Sequence, residues 1–289
     1  MRFAATYRYW ILGFPILFVF IFIVVPLVIV FLVSFWERQE FWVRPGFTLR
    51  FYKEFFSGAW LFVLQRSLVV AALVAILGLT LAYPIAYFLA RHVNSRTARL
   101  VLLLVAVPFV VNYIIRNFSW VYLLSRTGPV NSFLMGLGIT DRPVDWLLFS
   151  DFSLFVGLLT SYMPLMIYPL WLAIAGIDRQ LVEASWSLGA SPRTTFLRVT
   201  LPLSMPGVFV AVIFGFVGSF GESAVPVILG GAGYQLMGNA ITSVLNTLNY
   251  PLAAAMSSVV LVVMLAFMLI WYLSFDARSL LGKIVEWRM

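Results

Sequence analysis

The 289-residue chain contains no cysteine and one histidine, His92. Disulfides, thiolate nucleophiles and Cys/His metal cages are thereby excluded, while the missing thiols fit either redox compartment. Charge is scarce as well. Asp, Glu, Lys and Arg make up 10% of residues, against roughly a quarter in soluble domains. No G-x-x-x-x-G-K-[ST] stretch occurs, so the chain lacks the loop that cradles nucleotide phosphates.

What is present is apolar length. Hydrophobic residues make up 63% of the chain, and its mean hydropathy is +1.01. A bilayer core about 30 Å thick takes roughly 20 apolar residues per helical span. Windows of that length fall near 11–35, 67–90, 100–123, 153–176, 203–229 and 252–274. The expectation is an all-α integral membrane protein, one transmembrane domain over 1–289 with about six transmembrane helices. The run from Ile11 to Ser34 is about twice as long as a signal-peptide core and no small-residue cleavage site follows, so it is read as a retained span. Pro84, Pro108, Pro164 and Pro169 are tolerated because neighbouring helices re-satisfy the backbone groups they free.

The net charge of +8 follows topology rather than nucleic acid, because the basic residues neither cluster on a soluble face nor interleave with base-stacking aromatics. With the N-terminus inside, the inner segments carry eleven basic residues: Arg2, Arg8, Arg91, Arg96, Arg99, Arg179, Arg193, Arg198, Arg278, Lys283 and Arg288. Their acids are Asp178, Glu183, Asp276 and Glu286, for a net of +7; the outer segments come to +1. This bias predicts that both termini are cytosolic and that 177–202 is a cytosolic loop. On the outer side, FTLRFYKEFF from Phe47 and GPVNSFLMGLG from Gly128 read as short helices bracing the spans.

Within the cytosolic loop, Asp178 is placed to cap a helix running through Glu183 to Leu188. Gly189 supplies a permissive helix end, and Ser191-Pro192 signals a restart. The expected product is a helix, a kink and a second short helix carrying Phe196, Leu197 and Val199. It forms a compact knob in water.

Glu183-Ala184-Ser185, then Gly189, then Val199 and Leu201-Pro202 resemble the EAA signature of permease subunits of binding-protein-dependent ABC importers. Ser185 stands for the usual second alanine and Val199 for isoleucine. The resemblance implies a type I importer permease of the bacterial inner membrane, whose cytosolic coupling helix docks on an ATPase. The implied partners are a second permease subunit, a dimer of ATP-binding subunits and a periplasmic solute-binding protein, besides membrane lipid. It further implies that the chain is not an enzyme and binds no cofactor, with ATP and Mg held by the ATPase.

AYPIAYFLA from Ala82, VPFVVNYIIRNFSWVYLL from Val107, GESAVPVILGG from Gly221 and MGNAI from Met237 are similar to the spermidine/putrescine permease branch. Val227 stands where relatives often carry a second acid, so an opine, an amino-acid derivative or an anionic solute is the alternative to a polyamine. A secondary transporter would favour paired broken helices and several intramembrane carboxylates, whereas the spans hold one acid and show no convincing repeat.

Two ionisable residues fall inside spans, Arg116 and Glu222, and intramembrane charge marks a functional candidate. Asn112, Arg116, Ser119 and Trp120 share a helical face, with Tyr113 and Asn117 beside it. Two readings stay open. Arg116 and Glu222 neutralise each other as a structural pair, or Glu222 with Trp120, Tyr113 and Tyr162 meets an organic ammonium through charge and cation–π contacts. An Arg116 facing the path would suit an anion instead. Gly215, Gly218 and Gly221 read as close packing, Trp10, Trp36 and Trp271 as interfacial anchors, and Tyr83, Tyr87 and Tyr168 as path or core.

Overall fold

The computed structural model describes residues 13–39 and 42–274. The start of the first window at Ile11, the anchor Trp10, and the charges Arg2, Arg8, Asp276, Arg278, Lys283, Glu286 and Arg288 lie outside the described residues. In chain order the elements are α1 (Gly13–Val33), β1 (Glu37–Gln39), β2 (Trp42–Arg44), α2 (Arg50–Ser57), α3 (Ala59–Arg91), α4 (Ser95–Val110), α5 (Tyr113–Leu124), α6 (Pro129–Gly136), α7 (Asp151–Ala175), α8 (Arg179–Ser187), α9 (Pro192–Phe220), α10 (Ala224–Leu229), α11 (Met237–Asn246) and α12 (Tyr250–Ser274). The helices α1, α3, α7, α9 and α12 are each long and apolar enough to cross a bilayer, and the bent pair beginning with α4 makes a sixth candidate.

The third apolar window is not one straight helix. α4 and the run Tyr113–Gly136 that opens with α5 meet at a bend of 92°, where Val111 is extended and Asn112 caps α5 by accepting from the Ile114 N–H at 2.9 Å. The fifth window also departs from expectation. The helix that restarts at Pro192 does not stop as a short knob but runs unbroken into the span as the 29-residue α9, through a π-turn at Phe196–Thr200. It then ends at Phe220, and the chain resumes as α10 only at Ala224.

Described residues of 13–62 and 240–266 form one compact unit, and those of 63–239 and 267–274 the other. In the first, β1 and β2 pair antiparallel, with Glu37 opposite Arg44 and Gln39 opposite Trp42. Cross-strand charges of opposite sign favour that register. The Ser34 and Tyr52 hydroxyls lie 2.7 Å apart, and the Phe35 ring stacks on Phe47 at 5.1 Å. α2 is amphipathic, burying Phe51 and Phe55 while Arg50, Lys53 and Glu54 stay outside its core face.

The second unit is organised by α7 against α9. Small residues let these helices approach: a Cβ on Gly207 would stand 2.6 Å from the Pro169 carbonyl, and one on Gly215 3.0 Å from Met166 Sδ. Such contacts do in lipid what apolar burial does in water. The core around them joins Ala82 and Ala86 of α3, Leu102 of α4, Met166, Ile167 and Leu170 of α7, and Val208 and Ala211 of α9. Gly221 has no such neighbour and terminates α9 instead. Trp271 packs on α9, its Nε1 donating to the Phe209 carbonyl at 3.3 Å.

Candidate functional site

The two helix breaks meet. At the first, the helical donor for the Pro108 carbonyl would be the Asn112 N–H, but the bend removes it. Arg116 replaces it, Nη1 donating to that carbonyl at 3.1 Å with the guanidinium 5.3 Å from the Phe109 and Tyr113 rings. At the second break, Glu222 follows the end of α9 and caps α10. Its Oε1 accepts from the N–H groups of Ser223 at 2.8 Å, Ala224 at 2.8 Å and Val225 at 3.4 Å. A carboxylate at a helix N-terminus is electrostatically favoured.

The other carboxylate oxygen faces α5 and α7. Glu222 Oε2 accepts from the Tyr162 hydroxyl at 2.7 Å and from the Tyr113 hydroxyl. The residue is 7% exposed, so five donors hold a carboxylate away from water. Burial of a charge is tolerated only when it is satisfied in this way. Gly238, at the start of α11, packs so close to the Gly221 and Glu222 carbonyls that no side chain fits there.

Arg116 and Glu222 do not pair. Among the described residues the ion pairs are Arg66–Asp151 at 3.3 Å and Arg126–Asp145 at 3.0 Å. Each of the two intramembrane charges bonds instead to backbone groups that its own helix break has freed. Asn112, Tyr113, Arg116 and Tyr162 line one open cavity of about 370 Å³ together with Ser161 and Leu165. Glu222 stands behind its tyrosine wall. Trp120 does not line it, packing on the apolar cluster of Val70, Val74, Leu154 and Leu158. Around the cavity, Arg116 Nε, Asn117 Oδ1 and Ser161 Oγ are buried without a hydrogen-bond partner. Ser161 escaped the sequence reading because nothing but its neighbour Tyr162 marks it.

Between the cavity and the carboxylate stand Tyr113 and Tyr162, whose hydroxyls bond to Glu222. An anionic group meets Arg116. The wall itself thus carries the positive charge of Arg116, and the negative charge of Glu222 lies behind two tyrosine hydroxyls that a cation would have to displace.

The polar loop is the second site. Asp178 Oδ1 caps α8 through the Gln180 N–H at 2.9 Å, and Gly189 ends the helix at φ +80°, its N–H bonded to the Trp186 carbonyl at 2.9 Å. Ser191 Oγ accepts from the Thr194 N–H at 3.2 Å and starts α9. The Ser185 and Thr195 hydroxyls, 2.9 Å apart, staple α8 to α9, which gives the serine in place of alanine a job. Glu183 and Ala184 are exposed, as are Trp186 at 55% and Leu188 at 88%. Val199 lies in the π-turn, and Leu201-Pro202 continue α9. Tyr83 and Tyr87 of α3 close on the start of that turn, their rings 5.8 and 5.7 Å from Phe196, and the Tyr83 hydroxyl is 2.8 Å from Ser204 Oγ. Those two tyrosines thus belong to the root of the loop. Tyr168, half-buried at the edge of the core, bonds the Leu102 carbonyl at 2.5 Å.

Residues 82–278 match the family described as the binding-protein-dependent transport system inner membrane component. The chain is 34% identical over 278 residues to the spermidine/putrescine transport system permease protein PotB of Escherichia coli (strain K12), covering 96% of this chain and 98% of that protein. It is 32% identical over 268 residues to PotB of Haemophilus influenzae, covering 92% of each. Its fold resembles a chain of the bacterial alginate ABC transporter solved in complex with alginate pentasaccharide-bound periplasmic protein, with a TM-score of 0.72, 20% identity, and 92% and 94% of the two chains covered.

Proposed function

The chain belongs to the family of inner membrane components of binding-protein-dependent transport systems and is a permease subunit of an ABC importer; from that premise we propose that it passes a small organic cation of the polyamine class. The observation that carries this reading is the convergence of the Tyr113 and Tyr162 hydroxyls on the buried Glu222 carboxylate, beside an open cavity at two helix breaks. Broken helices beside a cavity are how membrane proteins expose polar groups to a solute. Aromatic faces with a carboxylate in reserve suit an ammonium. In this reading Asn112 and Arg116 shape the cavity's far wall, while Trp120 acts from behind by fixing α5. The names of the PotB relatives support the same solute class.

The drive comes from outside the chain. α8 seats in a cleft of an ATPase subunit, with Glu183, Ala184, Ser185 and Gly189 forming the seated surface. Val199, Leu201 and Pro202 carry the displacement into α9. ATP and Mg belong to a dimer of ATPase subunits, a second permease completes the path, and a periplasmic binding protein delivers the solute. The charge bias supports a cytosolic loop and cytosolic termini.

The test is to reconstitute the whole importer in lipid and measure ATP hydrolysis stimulated by its binding protein loaded with putrescine, spermidine or amino-acid-like cations. Stimulation by a polyamine is expected; stimulation by another ligand alone would retain the transport mechanism and refute the polyamine assignment. One observation favours a second reading. Arg116 lines the same cavity, so a zwitterionic amino-acid derivative would use both of its charges there.

A further inference from the structure

A second cavity, of about 430 Å³, lies where α3 ends, α4 begins and α7 gives way to α8. The charged residues that line it are both cationic. Arg91 and Arg179 line it with Trp171, and Asn94, the capping residue of the 16-residue α4, stands at its edge. No acidic residue lines it. Asp178, next in sequence to Arg179, turns its carboxylate to the Gln180 N–H.

Two of these donors are buried with nothing to bond. Arg91 Nη1 reaches the Ile177 carbonyl at 3.4 Å, but Arg91 Nη2 and Trp171 Nε1 have no hydrogen-bond partner. A buried donor left unpaired is costly. Two on one wall, beside a second guanidinium and the positive end of a helix, call for an anion carrying several acceptor oxygens.

The surroundings identify its source. From the cavity's edge α4 carries an exposed apolar face of Leu100, Leu103, Leu104 and Val107, at the spacing of one helical stripe. A free phosphate has no use for such a face, whereas acyl chains lie along it. We propose that the cavity binds the phosphate of an anionic phospholipid headgroup, with Arg91 and Trp171 Nε1 as its donors and the α4 stripe against the lipid tails. The proposal rests on the orientation given above only for the leaflet, which is the cytoplasmic one, where basic pockets between spans hold anionic headgroups.

The importer, purified with its partner subunits in detergent, would be titrated with cardiolipin, phosphatidylglycerol, phosphatidylethanolamine or inorganic phosphate, and adducts on this chain read by native mass spectrometry. An anionic-lipid adduct is expected, weakened about tenfold by Arg91→Gln and severalfold by Trp171→Phe, the size of one lost charge-assisted or neutral hydrogen bond. Arg91→Lys should recover part of the loss. Equal retention of phosphatidylethanolamine, or adducts unchanged in both variants, overturns the proposal. Binding of inorganic phosphate with no preference for lipid overturns the lipid source. Loss of the ATPase subunit from Arg91→Gln with lipid adducts intact assigns Arg91 to a protein carboxylate instead, again overturning it. If Arg91→Gln fails to assemble, Trp171→Phe, which keeps the ring and removes only the N–H donor, decides alone. Neither solute nor ATP hydrolysis enters the readout, so failure here leaves the transport reading untouched, and failure of that reading leaves this one testable.

Discussion

At Glu222, one side chain performs two tasks on separate oxygens: Oε1 starts α10 and Oε2 anchors two tyrosines. The tasks are separable by mutation. Glu222→Gln keeps an acceptor for the helix N-terminus but removes the charge, so the cap should lose about 1 kcal/mol. Tyr162→Phe leaves the cap intact and frees one lone pair of Oε2. If the carboxylate serves the solute, Tyr162→Phe should lower uptake while the thermal midpoint of the purified complex moves by no more than a few degrees, and Glu222→Gln should lower both. Equal uptake by wild type and Glu222→Gln would reduce the residue to a cap. Ser185→Ala is a milder case: it deletes the 2.9 Å contact to Thr195 and restores the residue usual in the family signature. About 1 kcal/mol of stability should be lost, with solute-stimulated ATP hydrolysis preserved.

Among the elements, the loop and the α7–α9 contact are the most exacting. Gly189 holds φ +80° with nothing near its missing side chain. Gly189→Ala therefore meets only backbone strain, about 1–2 kcal/mol, whereas Gly189→Pro cannot adopt that φ at all. Uptake per ATP hydrolysed should fall slightly in the first and collapse in the second; full coupling in the proline variant would refute the proposed seating of α8 on the ATPase. Gly207→Leu, by contrast, forces a side chain into the Pro169 carbonyl and Ala173. Overpacking of that kind costs about 1–3 kcal/mol and should show as lost assembly rather than as uncoupling.

These elements differ in how plainly the sequence announces them. The loop's ends were legible because Asp178, Gly189 and Ser191-Pro192 are local signals whose physics is complete within a few residues. Apolar windows were legible because length alone decides membrane crossing. The bend between α4 and α5 was not: hydropathy runs straight through Val110-Val111, and Pro108 lies inside α4 rather than at the break. Opposite charges in two spans invited an Arg116–Glu222 pair, yet each bonds to backbone groups that are free only once a helix has broken. Periodicity assumes unbroken helices, so it has no means of finding them. The strands Glu37–Gln39 and Trp42–Arg44 are too short and too charged for a strand pattern to register.

For the molecule as a whole, the open proposal is its orientation. The bias of +7 against +1 favours an inside N-terminus, and the proposed docking of α8 on an ATPase requires the loop to face the cytosol. The lack of cysteine makes the test clean, since any thiol introduced is the one that reacts. Leu188, 88% exposed at the tip of the loop, and Trp42, 80% exposed on β2, are predicted to lie on opposite sides of the membrane. In spheroplasts, a membrane-impermeant maleimide should label Trp42→Cys at once and Leu188→Cys only after permeabilisation. Coexpressing the ATPase should then shield Leu188→Cys even in open membranes. Immediate labelling of Leu188→Cys in sealed spheroplasts would invert the topology, and with it the cytosolic docking of α8 and the leaflet assigned to the Arg91 cavity.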